Sequence, residues 1–295
     1  MAAEIISGTE IAKQIRQELT QEIAKLKENH NLVPGLATVI VGEDPASQVY
    51  VGSKVKTCQA LGIYSERHDL SAETSEQNLL SLIDRLNKDP NIHGILVQLP
   101  LPKHINEHNV LMAIDPKKDV DGFHPVNVGK LMIGEADYLP CTPHGIQELL
   151  IRTGIETEGA EVVVVGRSNI VGKPVANILI QKAPGANATV TVCHTRTRDL
   201  AFHTRRSDIL IVAAGKPKAI TADMVKEGAV VIDVGVHRLG KTAEGKSILC
   251  GDVDFESVKE KAKAITPVPG GVGPMTIVML MLNTVRAAKL ATGLI

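Results

Sequence analysis

Four short runs rich in β-branched residues in the second half of the chain constrain its fold more than any other feature. They are EVVVV (Glu161 to Val165), TVTVC (Thr189 to Cys193), ILIVAA (Ile209 to Ala214) and AVVIDVG (Ala229 to Gly235), and helical or Gly-rich pieces separate them. The first half has the same grammar with weaker strands: LATVIV (Leu36 to Val41), a short strand near Tyr64, and GILV (Gly94 to Val97). Helices are predicted from about Ser47 and over Leu79 to Leu86. Strands that alternate with helices form a mainly parallel sheet covered on both faces. The chain opens with a helix whose start is marked by a capping-box pair, Ser7 and Glu10, and whose apolar stripe is Ile11, Ile15, Leu19, Ile23 and Leu26. A length of 295 residues suits about two domains. The proline pair Pro140 and Pro143 marks the boundary, and the apolar helix from about Met275 is long enough to pack back onto the first domain. The expectation is two α/β lobes, 1–143 with 275–295 and 144–274, with a cleft between them that serves as the ligand site.

Composition removes several classes of function. There are 32 basic and 33 acidic side chains, a net charge of −1, which gives no concentrated field for a polyanion. Three Tyr, three Phe and no Trp are too few to build stacking platforms for single strands, so no nucleic-acid partner is expected. No apolar stretch approaches the roughly 18 residues that span a bilayer, and Met1-Ala2-Ala3-Glu4 lacks the basic and apolar segments of a secretion signal. Cys58, Cys141, Cys193 and Cys250 lie far apart, which suits free thiols in a reducing compartment. A cytoplasmic protein with no membrane partner is expected.

The strand EVVVV runs directly into Gly166-Arg167-Ser168-Asn169-Ile170-Val171-Gly172-Lys173-Pro174, and a helix follows. One glycine permits a tight turn, and another at the helix start lets a pyrophosphate approach backbone N–H groups. Ser168 stands where the G-x-G-x-x-G fingerprint has its second glycine, so the turn alone is equally compatible with a plain connection. The end of the next strand narrows the choice. A site for NAD usually places an acid there; this chain reads His194-Thr195-Arg196-Thr197-Arg198, with another cation at Arg167. Arginine forks and hydroxyls match an additional phosphate, which favours NADP over a merely solvated basic loop.

In YVGSKVK, Tyr50 and Lys54 stand four apart and share a helix face. A solvated lysine whose stem is covered by tyrosine is the ordinary alternative to a catalytic one. Ser47, Gln98 and Asp121 fall where strands of the first lobe should end, the edge that lines the crevice of an open α/β sheet. His104-Ile105-Asn106-Glu107-His108 matches the inverted zinc-protease pattern H-x-x-E-H, but nothing downstream supplies a third ligand, so no metal is expected.

Taken in order, SQVYVGSKVK, GILVQLPLP, KKDVDGFHP, PCTP, VVVGRSNIVGKP, TVCHTRT and ITPVPGGVGPMT closely resemble the bifunctional methylenetetrahydrofolate dehydrogenase/methenyltetrahydrofolate cyclohydrolase family. The resemblance covers essentially the whole chain. It implies a homodimer of two-lobed subunits, with a tetrahydrofolate derivative as substrate and NADP on a Rossmann-like, doubly wound second lobe. It also implies that Lys54 is the catalytic lysine, Gln98 its hydrogen-bonding partner, Tyr50 the residue stacked on the folate and Asp121 the carboxylate that holds the pterin. Ser47 and Cys141 correspond to residues lining the same site. Gly166, Arg167 and Ser168 match the NADP turn, Thr195 keeps the hydroxyl of a position often held by serine, and Val236 matches the residue beside the nicotinamide. The segment KAPGANA is longer than the family usually has.

The implied chemistry agrees with these residue types. Dehydrogenation moves a hydride to the nicotinamide and needs mainly alignment from the protein. Hydrolysis of the resulting cation needs proton transfer, and a lysine with the usual pKa near 10.4 serves as a base only if burial lowers it. Two other readings are an NADP dehydrogenase of another small substrate without hydrolytic activity, and a non-catalytic dinucleotide sensor.

Overall fold

The computed structural model describes residues 2–241, 245 and 247–295. Its first elements are β1 (Glu4–Ile5), α1 (Gly8–His30), β2 (Gly35–Val41), α2 (Pro45–Leu61), β3 (Tyr64–Leu70), α3 (Glu76–Lys88), β4 (Gly94–Val97), α4 (Glu107–Ala113), α5 (Pro125–Ile133) and α6 (Cys141–Arg152). They continue with β5 (Glu161–Val165), α7 (Gly172–Leu179), β6 (Thr189–Cys193), α8 (Leu200–Thr204), β7 (Ile209–Val212) and β8 (Val230–Asp233). The last are β9 (His237–Lys241), β10 (Ser247–Cys250), α9 (Phe255–Val258), β11 (Ala264–Ile265) and α10 (Val272–Ala291). Two compact units result: Gln14–Cys141 with Ile277–Ile295, and Met1–Lys13 with Thr142–Thr276.

In the first of these units β2 is the centre of a parallel sheet ordered β3-β2-β4. All seven β2 residues are buried, as a strand covered on both faces requires. Ala37, Val39 and Val41 of β2 and Ile95 and Val97 of β4 pack on Leu79, Ile83 and Leu86 of α3 and on Val110 of α4. The α3 contacts recur at helical spacing, and Ser75 Oγ starts that helix by accepting from Asn78 N at 3.2 Å. The part of α10 from Ile277 onward belongs to this unit.

The second unit carries a six-stranded parallel sheet ordered β1-β11-β8-β7-β5-β6. From β5 the chain goes to one side for β6 and to the other for β7. The strand order therefore reverses between β5 and β7, the point where doubly wound sheets bind ligands at their carboxyl ends. The KAPGANA segment is anchored from other elements: Gln147 Nε2 donates to Gly185 O at 3.0 Å and Thr157 Oγ1 donates to Ala186 O at 2.8 Å.

GILV, EVVVV and TVTVC form strands with the expected bounds, whereas ILIVAA and AVVIDVG shorten to β7 and β8. The strand near Tyr64 is seven residues long. The α1 stripe is buried, and Glu10 N donates to Ser7 Oγ at 3.3 Å. At the N-terminus the structure differs from the expected lobe 1–143. Residues up to Lys13 group with the second unit because β1 pairs with β11, Glu4 opposite Ala264 and Ile5 opposite Ile265. A two-residue strand has no periodicity to read, so only its partner reveals it. The β9–β10 pair is likewise absent from the sequence pattern.

Ile83→Ala empties a fully buried position and should destabilise the protein by about 2–5 kcal/mol. Urea unfolding of the purified variant beside the parent measures it.

Candidate active site

Helix α2 is held at both ends, which sets the direction of the side chains along it. Asp44 accepts from Ser47 N at 2.8 Å, Pro45 occupies the first turn, and Gly62 takes a left-handed conformation (φ 78°) just past the last turn. Ser47, Tyr50 and Lys54 fall three and four residues apart and share one face. Lys54 is buried, at 4% exposure. Its Nζ donates to Gln98 Oε1 at 3.0 Å and stands 4.5 Å from the centre of the Tyr50 ring.

Gln98 follows β4 immediately, so its backbone is set by the sheet: its N–H donates to Val39 O at 2.8 Å. Gln98 Nε2 donates to Leu99 O at 2.7 Å, which turns the carbonyl end of the amide toward the lysine. Burial holds the Lys54 pKa below the ordinary lysine value, against the opposing pull of Asp121 and Cys141. Burial pushes the Asp121 carboxyl up, opposed by Lys54 and assisted by Asp119. The Cys141 thiol is raised by burial and by Asp121, so it stays protonated. Burial thus disfavours the charged forms of both the amine and the carboxyl here.

Asp121 lies on a loop that is tied from several sides. Asp119 Oδ2 accepts from His124 N and from Asn127 Nδ2, both at 2.8 Å. Gly122 has φ +73°, and a Cβ there would stand 3.1 Å from Pro140 N. Asn283 of α10 donates through Nδ2 to Val120 O at 2.7 Å and to Leu139 O at 2.9 Å, and lies 3.7 Å from Cys141 Sγ. One buried amide thus ties the segments that carry Asp121 and Cys141. The motifs do not single out Asn283, and its one signal is an amide that directly follows the apolar run Ile277–Leu282.

In the other unit, Gly166, Arg167 and Ser168 form the turn between β5 and α7. Ser168 Oγ accepts from Val171 N at 3.1 Å and Gly172 N at 3.3 Å, doing for the turn what a cap does for a helix. A Cβ on Gly172 would fall 2.2 Å from Gly166 O, and one on Gly166 would fall 2.2 Å from Ala213 O. Both glycines are therefore required by close backbone approach. Val165 pairs with Cys193, so the Thr195 loop begins beside this turn. There His194 N donates to Thr197 Oγ1 at 2.9 Å and Arg196 N to His194 Nδ1 at 3.1 Å, displaying Thr195 and Arg196 outward. Arg167, Thr195, Arg196 and Arg198 are exposed. Val236, 59% exposed, follows the end of β8. Exposed backbone, hydroxyl and guanidinium donors around a glycine-lined cradle fit a dinucleotide with an added phosphate. Lys54, Gln98, Tyr50, Ser47, Asp121 and Cys141 gather in one unit; Gly166, Arg167, Ser168, Thr195 and Val236 gather at strand ends of the other.

The H-x-x-E-H segment has a structural task. His104 Nε2 lies 2.9 Å from Thr74 O, and Glu107 Oε1 accepts from Leu101 N at 3.1 Å. Among the described residues no group of three or more His, Cys, Asp or Glu could hold a metal ion.

Comparison with known proteins agrees along the full length. Residues 6–121 match the tetrahydrofolate dehydrogenase/cyclohydrolase catalytic domain, and residues 140–292 match the NAD(P)-binding domain of the same family. The bifunctional protein FolD of Syntrophus aciditrophicus (strain SB) is 70% identical over 294 residues, covering 100% of both chains. The crystal structure of the bifunctional FolD methylenetetrahydrofolate dehydrogenase/cyclohydrolase from Campylobacter jejuni is 49% identical, with a TM-score of 0.91, covering 98% of this chain and 99% of that one. The Trypanosoma brucei methylenetetrahydrofolate dehydrogenase-cyclohydrolase, complexed with NADP cofactor and inhibitor, is 41% identical with a TM-score of 0.93 and 99% coverage of each chain.

A lysine whose folded pKa is lowered binds fewer protons than the unfolded chain. It therefore costs stability below the folded pKa, and the cost fades as pH rises to about 10.4. Lys54→Met should raise the thermal midpoint at neutral pH by about 2–4 °C. The gain should shrink toward pH 10, as differential scanning calorimetry across pH would record.

Proposed function

Because the chain belongs to the tetrahydrofolate dehydrogenase/cyclohydrolase family, we propose that the buried Lys54 amine is the proton-transfer group of a bifunctional folate enzyme. The enzyme oxidises 5,10-methylenetetrahydrofolate to 5,10-methenyltetrahydrofolate with NADP, then hydrolyses that product to 10-formyltetrahydrofolate. The observation that carries the role of Lys54 is its 3.0 Å contact with a carbonyl oxygen at a site with 4% exposure. Gathering Tyr50, Lys54, Gln98 and Asp121 in one unit also argues against a dehydrogenase of an unrelated substrate and against a non-catalytic sensor.

Tyr50 offers its ring as the stacking surface for the folate, and Asp121 receives the adjacent N–H donors of the pterin in a bidentate contact. Ser47 and Cys141 line the same site. Gly166, Arg167, Ser168, Thr195 and Val236 hold the dinucleotide, with Arg167 and Thr195 toward the 2′-phosphate. When bound, NADP supplies the hydride acceptor. The protein's part in that step is alignment, since the folate loses a hydride from its one-carbon bridge and becomes a delocalised cation.

Hydrolysis asks more of the side chains. A water oxygen bonds to the cationic carbon, and the neutral Lys54 amine takes a proton from that water. The bond from this carbon to the pterin-ring nitrogen then breaks, the Lys54 ammonium returns the proton to the departing nitrogen, and the remaining hydroxyl proton passes to solvent as the formyl C=O forms. Gln98 suits this exchange because its oxygen orients the amine without a charge that would hold the proton in place. The cationic substrate opposes protonation of Lys54 further. The functional enzyme is a homodimer in the cytoplasm, in keeping with the family resemblance; no helix among the described residues is long and apolar enough to cross a membrane.

A coupled spectrophotometric assay with methylenetetrahydrofolate and either nicotinamide cofactor tests the reading. Lys54→Met and Lys54→Gln should lower cyclohydrolase turnover by about 10²–10⁴ while leaving NADP binding intact, and near-normal hydrolysis by either variant refutes the assignment. In the parent enzyme cyclohydrolase turnover should rise with pH through the lowered lysine pKa and then level off. Arg167→Ala should raise the KM for NADP by about tenfold with little change in that for NAD, as loss of a charge-assisted phosphate contact entails.

A further inference from the structure

The second unit buries two carboxylates at the carboxyl ends of its central strands, and none of the family motifs explains them. Asp252 is 0% exposed and Asp233 3%. Asp252 Oδ2 accepts from Ala214 N at 2.6 Å and Gly215 N at 2.9 Å, the residues that follow β7. Its other oxygen, Oδ1, lies 2.6 Å from His237 Nε2. Asp233, the last residue of β8, accepts through Oδ1 from Gly235 N at 3.0 Å and Asp252 N at 2.9 Å, and through Oδ2 from Val253 N at 2.9 Å. Burial pushes the Asp233 carboxyl up to about 6, against these backbone hydrogen bonds. Glycine makes the crowding possible: a Cβ on Gly251 would fall 1.8 Å from Asp233 Oδ2, and one on Gly235 would fall 2.4 Å from Asp252 Cγ.

Burying two carboxylates side by side costs stability, and apolar side chains would fill the same space at less cost. What the carboxylates add is a fixed backbone path. They fix it at the ligand-binding edge of the sheet. The Ala213–Gly215 segment held by Asp252 is the one whose Ala213 O packs against Gly166, on the β7 side of the switch point. Val236 sits between two tethered neighbours, Gly235 bound to Asp233 and His237 bound to Asp252. Of the three side chains His237 is the outermost, with 21% of its side chain exposed.

We infer that Asp233, Asp252 and His237 form a clamp that positions the Ala213–Gly215 and Gly235–His237 segments for the dinucleotide, His237 and Asp252 being positioning residues for the dehydrogenase half-reaction. The inference rests on the proposal that Gly166 and Val236 contact NADP. It assigns His237 a hydrogen-bonding task at Asp252 and no contact with substrate. Hydrolysis, which depends on Lys54 in the other unit, is independent of the clamp.

The test uses the full-length enzyme with His237→Leu, His237→Gln and Asp252→Asn, and Arg167→Ala as a reference. Steady-state KM for NADP, Kd from NADPH fluorescence, and cyclohydrolase rate are measured on each preparation. His237→Leu should raise KM and Kd by about five- to tenfold, the effect of losing one typical hydrogen bond. The cyclohydrolase rate should stay unchanged, and His237→Gln, which keeps a donor at that reach, should restore cofactor affinity. Asp252→Asn should weaken NADP in the same way; if it does not fold, the two His237 variants decide. Unchanged NADP affinity in His237→Leu, a parallel fall in cyclohydrolase, or failure of glutamine to rescue overturns the clamp. If Arg167→Ala also leaves NADP affinity unchanged, the assignment of the cofactor site falls with it; if Arg167→Ala is impaired and His237→Leu is not, the clamp alone falls.

Discussion

The 3.0 Å contact between the Lys54 amine and the Gln98 carbonyl is the interaction on which the rest of the first unit depends. An amine removed from water resists carrying charge, and a carboxylate partner at the same distance would cancel that resistance by holding the proton. A primary amide orients the nitrogen without doing so. The arrangement requires a helix that delivers Lys54 from one side and a strand end that delivers Gln98 from the other. Capping by Asp44 and the β4 ladder meet those two requirements.

Asp121 supplies the counterpoise. It is near enough to oppose the downward shift of Lys54, while burial raises its own carboxyl. Each shift depends on where the other group stands. The loop that carries Asp121 must therefore be rigid, and Asp119, Asn127 and Asn283 make it so through backbone hydrogen bonds and one buried amide–carboxylate contact. The second unit meets a different demand. Its turn offers close backbone, hydroxyl and guanidinium groups, where geometry matters more than a shifted pKa.

Legibility in the sequence follows the range of the interactions. Tyr50 and Lys54 are four residues apart on one helix, so their shared face follows from helical spacing alone. The strands EVVVV and TVTVC and the turn after the first of them are local as well, because β-branched runs and glycines carry their own conformational preferences. The Lys54–Gln98 contact spans 44 positions and the Asn283–Val120 contact 163, and no spacing rule reaches that far. Resemblance to the family supplied the first pair and passed over the second. β1 is too short for any period, and its place in the second sheet is decided by β11 alone.

By itself the sequence determined the class of fold, the succession of strands and helices, the glycine-bearing turn after EVVVV with its excess of arginine nearby, and the helical face shared by Tyr50 and Lys54. Each of these arises from preferences of neighbouring residues or from charge that any conformation would carry. Tertiary structure alone decided which amine is buried, which way the Gln98 amide faces, where the first thirteen residues belong, and that Asp233 and Asp252 share one buried site. Those features depend on desolvation and on hydrogen bonds between distant segments, and neither exists until the chain has folded.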